Sequence, residues 1–193
     1  MKIAISGAVS TGKTTLGKAL AEDLDLPFIP ENLETVFGPA HLRTRHEGGL
    51  PMALLDCLSR KRDLEHAHDG FVVDRSPIDI FNFWLAFRLI EHPKTEEVYA
   101  LCQTLMAGYD AVVLLPWGTL ELDGAADPAT GVRRQPNKWV QFNGSVTIAG
   151  LAHHFVPNER IISIPKDTTA HEDRLDFIRT SRVLKQGNPA DKP

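Results

Sequence analysis

Gly7-Ala8-Val9-Ser10-Thr11-Gly12-Lys13-Thr14 spells G-x-x-x-x-G-K-[ST], a complete phosphate-binding loop. Its flanks give the motif its weight. The apolar run Ile3-Ala4-Ile5 leads into Gly7, and Leu16, Leu20 and Leu24 mark one face of a helix behind it. Strand, glycine loop and helix is the order this pattern requires. An accidental match in a chain of this length is roughly a one-in-a-hundred event. The cradle comprises Gly7, Ala8, Val9, Ser10, Thr11, Gly12, Lys13, Thr14 and Thr15. Backbone N–H groups from Val9 to Lys13 are expected to wrap a β-phosphate at the positive end of the helix. Lys13 then reaches the β- and γ-phosphates, and the Thr14 hydroxyl holds Mg²⁺. The sequence therefore predicts a nucleoside triphosphate site.

Working outward, strands and helices alternate, the pattern of an α/β fold with a parallel sheet. Strands are expected at about 2–6, 27–30, 70–74, 109–116 and 160–165. Helices are expected at about 13–25, 51–68, 78–90, 95–107 and 170–184, with a loose tail over 185–193. Residues 32–49 read as polar and irregular. The stretch 139–148 carries two signals. Asn143-Gly144 between apolar runs suggests a hairpin, whereas Ile148, Leu151, Ala152 and Phe155 share a helical face. A crossover between parallel strands favours a helix over about 137–154.

Composition narrows the function classes. The 193 residues suffice for one domain with a full core. A net charge of −4 leaves no basic footprint, so no nucleic-acid polymer is expected as partner. Cys57 and Cys102 stand apart with no Cys/His cluster, which argues against disulfides and zinc. No apolar stretch is long enough for a membrane span, and the chain opens directly into a strand. The expected address is cytoplasmic, or a host cytoplasm for a viral source.

Asp74-Arg75-Ser76 closes the third strand. An acid at that point organises the metal in P-loop proteins, which makes Thr14 and Asp74 the candidate Mg²⁺ residues. A guanidinium beside it can grip a phosphate or a hydroxyl-bearing acceptor. The plainer alternative is a strand-end ion pair. Ser76 and Asp79 read as helix caps. Gly131-Val132-Arg133-Arg134 lies in a loop with Gly124 and Pro128. Paired arginines there can close over a triphosphate, or simply balance Glu121, Asp123 and Asp127. His41, Arg43, Arg45 and His46 form a basic cluster, read either as an acceptor-side lid or as a solvated loop.

Taken together, Gly7–Thr14, Glu31, Asp74-Arg75-Ser76 and the late arginine loop resemble the deoxynucleoside and nucleotide kinase branch of P-loop proteins. More closely, the chain is similar to the small AAA-type P-loop family that includes the ribosylnicotinamide kinase domain. There a phrase like Tyr109-Asp110 to Pro116 precedes an Asp/Gly/Arg-rich loop. The resemblance covers about residues 2–182. It implies a three-layer P-loop NTPase fold, a five-stranded parallel sheet of order 2-3-1-4-5 flanked by helices. It implies one domain over 1–184, with a lid loop at about 118–137.

The resemblance also implies roles. Glu31 corresponds to the carboxylate that takes the proton of the acceptor hydroxyl, although Glu31-Asn32 lacks the proline-tryptophan continuation of nucleoside kinases. Asp74 is the competing base. Arg75 clamps the acceptor or its phosphate, and Arg133 and Arg134 join Lys13 in stabilising transferred charge. Pro165-Lys166-Asp167-Thr168 falls where the adenine rests in such proteins. The expected activity is ATP- and Mg²⁺-dependent phosphorylation of a small-molecule acceptor, a nucleoside, nucleotide or related hydroxyl compound. The alternative is a nucleotide-gated switch or ATPase with no small-molecule acceptor. A homodimer is compatible with the family's long paired helices.

Overall fold

A computed structural model of the chain describes residues 1–31, 49–120, 122 and 137–187. Five strands form its sheet: β1 (Lys2–Ser6), β2 (Phe28–Ile29), β3 (Phe71–Asp74), β4 (Ala111–Leu114) and β5 (Ile161–Ser163). Their order is β2-β3-β1-β4-β5, and every pairing is parallel. This is the P-loop NTPase arrangement that the sequence implied. Register sets Ile5 opposite Asp74 and Ser6 opposite Leu114. The carboxyl ends of β1, β3 and β4 therefore share one edge.

Among the described residues, five α-helices precede β5 and two follow it. They are α1 (Lys13–Asp23), α2 (Gly49–His66), α3 (Pro77–Ala86), α4 (Thr95–Met106), α5 (Lys138–Phe155), α6 (His171–Thr180) and α7 (Arg182–Gly187). A sheet buried on both faces needs apolar residues at every strand position, which is why the strands read as unbroken apolar runs. Because successive side chains alternate, Ile3 and Ile5 pack with Leu16, Leu20, Leu175 and Ile178 on one face. Ala4, Val73 and Val112 pack with Ile78, Ile148 and Ala152 on the other. A third cluster, including Leu54, Leu58, Trp84, Val98 and Cys102, fills the space between α2, α3 and α4.

Several element ends depart from expectation: α2 runs Gly49–His66 where about 51–68 was expected, and β2, β4 and β5 are shorter than their expected spans. Helix α1 stops at Asp23 instead of Asp25, and α3 stops at Ala86 instead of Ile90. Both end in a left-handed residue that is not glycine: Asp25 at φ 51° and Arg88 at φ 57°. The Leu26 and Leu89 N–H groups reach back to the Ala21 and Trp84 carbonyls at 2.9 and 3.1 Å. That is the Schellman bond, which satisfies end carbonyls usually announced by a glycine. The last expected helix is two pieces, because Ser181 is extended (φ −63°, ψ 144°). The break turns Val183 and Leu184 onto the cluster beneath the sheet.

The stretch with two local signals is helical. Asn137 caps α5 by accepting a hydrogen bond from the Trp139 N–H at 2.9 Å. The crossover demanded by the parallel β4–β5 pair outweighs the Asn-Gly turn signal. α5 lies against the loop here: a Cβ at Gly144 would stand at ordinary contact distance, 3.7 Å, from the Ala8 Cβ.

Candidate functional site

The loop from Gly7 to Gly12 leaves β1 at the shared strand edge and feeds α1. Its entrance is pinned on both sides. The Arg75 N–H donates to the Ile5 carbonyl at 2.9 Å, and the Leu115 N–H donates to the Ser6 carbonyl at 3.0 Å. Ser10 (φ 56°) and Gly12 (φ 87°) adopt left-handed conformations. Such residues between right-handed ones turn successive N–H groups into one concavity, an anion nest. At Gly12 the conformation favours glycine for the ordinary steric reason. Ser10 carries the strain instead, and its hydroxyl is buried without a hydrogen-bond partner among the described residues.

Lys13 is the first residue of α1 and is buried. Its Nζ donates to the Ala8 carbonyl at 2.6 Å. Burial, reinforced by the neighbouring Arg75 charge, pushes its pKa down to about 8, against the pull of Asp74, Asp79 and Glu31. A lysine so desolvated gains strongly from any anion laid beside it. Thr14 follows, and its hydroxyl donates to the Asp74 carboxylate. Asp74 is fully buried, and its second oxygen, Oδ1, has no hydrogen-bond partner among the described residues. Burial raises the Asp74 pKa, with Lys13 and Arg75 opposing.

An unpartnered carboxylate oxygen beside a threonine hydroxyl, both oxygen ligands, suits a hard divalent cation such as Mg²⁺. These two residues fit the metal that P-loop chemistry uses.

Arg75 stands at φ 65°, an uncommon value for a side-chain-bearing residue. Its Nε donates to the Glu31 carboxylate and its Nη1 to Asp79 Oδ1 at 3.3 Å. Burial works to lower the Arg75 pKa, but Glu31, Asp79 and Asp74 together hold it above the ordinary range. Phe83 lies beneath the guanidinium, 5.6 Å from ring centroid to carbon. Glu31 itself is partly open, so one end of this ion pair faces solvent and the other is sealed. A small cavity opens between Pro30, Glu31, Cys57, Lys61, Asp74 and Arg75. Burial raises the Cys57 thiol to about pKa 11, so it stays neutral there.

Lys13, Thr14, Glu31, Asp74 and Arg75 thus converge from three parts of the chain: the start of α1, the end of β2 and the end of β3. Thr15 is exposed on α1, at the helix end of the cradle. Arg133 and Arg134 lie outside the described residues, as do His41, Arg43, Arg45 and His46.

Three residues of the site escaped the sequence reading. Asp79 does cap α3, with a capping box to Ser76. Fully buried, it also accepts from the Gly7 N–H at 3.2 Å and holds Arg75. Gln141 and Arg174 touch the loop's outer carbonyls. Each sits on an otherwise apolar helical stripe: Gln141 with Ile148 and Ala152, Arg174 with Ile178. A polar residue on a buried stripe was the available signal.

A family model described as an AAA domain matches residues 2–144. The chain belongs to that family. Among solved structures, this AAA-domain protein is similar to the deoxyadenosine kinase of M. mycoides in a structure with dCMP and a flexible dCDP bound. The match has 14% identity, covers 97% of this chain and 100% of the other, and gives a TM-score of 0.68. The same enzyme with bound dATP gives 13% identity, 97% and 100% coverage and a TM-score of 0.62. The YorR protein of Bacillus subtilis, in complex with phosphorylated GDP, gives 13% identity, 97% and 99% coverage and 0.55. At such identities the likeness speaks for the fold. No curated protein matches the sequence significantly.

Proposed function

We propose that this AAA-domain protein is an ATP- and Mg²⁺-dependent kinase that phosphorylates a nucleoside, nucleotide or related hydroxyl compound. The observation that carries the reading is the joining of two half-sites through adjacent residues of one strand end. Asp74 accepts from Thr14 on the nucleotide side, while Arg75 pairs with Glu31 on the other. A protein that only held a nucleotide has no need of the second half.

In this reading the loop N–H groups and Lys13 hold the ATP phosphates. Thr14 and Asp74 hold Mg²⁺, which when bound neutralises charge on the β- and γ-phosphates. The acceptor hydroxyl oxygen forms a bond to the γ-phosphorus as the bond to the ADP oxygen breaks. Its proton passes to Glu31, which is reachable from solvent where Asp74 is sealed. Arg75 orients the acceptor beside Glu31. Arg133 and Arg134 are assigned to closing the site over the transferring group, work that is chiefly electrostatic.

Purified protein with Mg²⁺ and ATP, offered a panel of nucleosides, nucleotides and small hydroxyl compounds, tests the reading. Acceptor-dependent ADP release with a phosphorylated product is expected. ATP hydrolysis indifferent to every acceptor would overturn it in favour of a nucleotide-gated switch.

A further inference from the structure

Every carbonyl of the loop from Gly7 to Thr11 accepts a hydrogen bond from a side chain. Arg75 Nη1 donates to the Gly7 carbonyl at 3.4 Å. Lys13 and Thr11 serve the Ala8 carbonyl at 2.6 and 3.0 Å. Gln141 Nε2 donates to the Val9 carbonyl at 2.8 Å and the Ser10 carbonyl at 3.4 Å. Arg174 Nη1 donates to the Thr11 carbonyl at 3.0 Å. Gln141 is fully enclosed and Arg174 is 3% exposed, so neither is there for solubility.

A trans peptide unit is planar, with C=O and N–H on opposite sides. Fixing a carbonyl outward therefore fixes the next residue's N–H inward. By that rule Gln141 aims the N–H groups of Ser10 and Thr11, and Arg174 aims that of Gly12. The remaining contacts anchor the two clamps. Gln141 Oε1 accepts from the Gly118 N–H at 2.9 Å. Arg174 also donates to the Thr168 carbonyl at 2.9 Å and the Thr119 hydroxyl at 2.8 Å. The segments following β4 and β5 are thus tied to the loop through two side chains.

We propose that Gln141 and Arg174 are positioning residues that preorganise the loop N–H groups for the triphosphate, binding α5 and α6 to the nucleotide site. Neither side chain needs to touch the phosphates. Donors already aimed at the ligand cost no reorganisation when it arrives. The inference rests on the proposed triphosphate site, and its test separates the two.

Mg²⁺·ATP affinity is measured by calorimetry on wild type, Gln141→Met and Arg174→Lys, with the melting temperature of each protein without nucleotide. Michaelis constants for ATP and acceptor accompany them. Each substitution is expected to weaken Mg²⁺·ATP about 10-fold or more, the effect of losing a well-placed buried donor. The Michaelis constant for the acceptor should stay within about twofold. Folded variants that bind Mg²⁺·ATP as wild type does overturn the inference. Wild type that binds no nucleotide overturns the triphosphate reading instead. The two substitutions sit on different helices, so if one prevents folding the other decides. Thr119→Val, at a half-buried position, decides if both do. It should weaken Mg²⁺·ATP about threefold by freeing one Arg174 donor, and unchanged affinity there counts against the proposal.

Discussion

Thr14 Oγ1 donates to Asp74 Oδ2, while Asp74 Oδ1, also buried, receives no hydrogen bond from the described residues. One carboxylate is therefore half satisfied by the protein at the point where α1 and β3 meet. A buried carboxylate short of partners is costly to the free fold. Its raised pKa records that cost. Such strain persists where a ligand relieves it.

Asp74→Asn should separate stability from function. The substitution removes a poorly compensated buried charge, so the melting temperature without nucleotide should hold or rise near neutral pH. The sign follows from the raised pKa. The folded state holds the Asp74 proton more tightly, so this group's contribution to stability is fully present below the unfolded value and is lost as pH rises through the folded one. Turnover with Mg²⁺ should fall about 100-fold or more, as for loss of a major electrostatic group. A variant with wild-type turnover, or one that unfolds outright, contradicts the assignment.

Lys13 offers a proton-linkage test. Its folded pKa of about 8 lies below the ordinary 10.5, so the folded protein gives up that proton first. Stability from this group is lowest below pH 8 and rises as pH climbs from about 8 towards 10.5. Phosphates against the ammonium restore its charge. Mg²⁺·ATP binding near pH 8.5 should therefore take up a fraction of a proton, seen as heats that differ between buffers of unlike ionisation enthalpy. Lys13→Met should abolish that difference together with most of the affinity, while the free protein stays folded. Identical heats in all buffers for wild type would refute it.

Much of this was legible beforehand because the parts that carry chemistry are local. Residues Gly7 to Thr14 are contiguous, and Asp74-Arg75 ends an apolar run. What stayed hidden depended on tertiary contact. That Arg75 turns back to Glu31, 44 positions earlier, is set by the β2–β3 pairing and not by any local pattern. The clamping by Gln141 spans 132 positions and needs α5 to be a helix, against its Asn-Gly turn signal. The ends of α1 and α3 were placed too late because the left-handed residues just beyond them, Asp25 and Arg88, carry side chains where a glycine would have announced the stop. Asp79 was legible as a cap, and its cap role concealed its second one.

Asp79 joins Gly7 to Arg75, so its two non-cap contacts can be weighed by substitution. Asp79→Ala leaves the buried Arg75 guanidinium with one fewer counter-charge and the Gly7 N–H without its acceptor. Breaking a buried ion pair typically costs about 3–5 kcal/mol, and loss of the cap adds to it. Asp79→Asn keeps an acceptor oxygen and should cost less in stability. With the charge gone Arg75 is gripped less firmly opposite Glu31, though it keeps its bond to the Gly7 carbonyl, so the Michaelis constant for the acceptor should rise more than that for ATP. Equal effects on both constants would show that Asp79 acts through the fold alone.

Tyr109 supplies the control, because it precedes β4 at the sheet end away from the loop. Its hydroxyl donates to Glu65 Oε1 at 2.5 Å, and Lys61 Nζ stands 3.1 Å from the same oxygen. All three side chains are buried. Burial, with the nearby Glu65 charge, holds the Tyr109 pKa well above 10. A raised pKa here means stability is fully present below the unfolded value near 10 and is lost as pH rises through the folded one. Tyr109→Phe takes the hydroxyl from Glu65 and leaves its pairing with Lys61, and should cost about 1–3 kcal/mol at neutral pH. It should also flatten the alkaline limb of the stability curve, since the group that loses its proton on unfolding is gone. Affinity for Mg²⁺·ATP should be unchanged. Denaturant melts of both proteins from pH 7 to 11 check the first two outcomes and calorimetry the third. A steep alkaline limb surviving in Tyr109→Phe would mean that another group governs it.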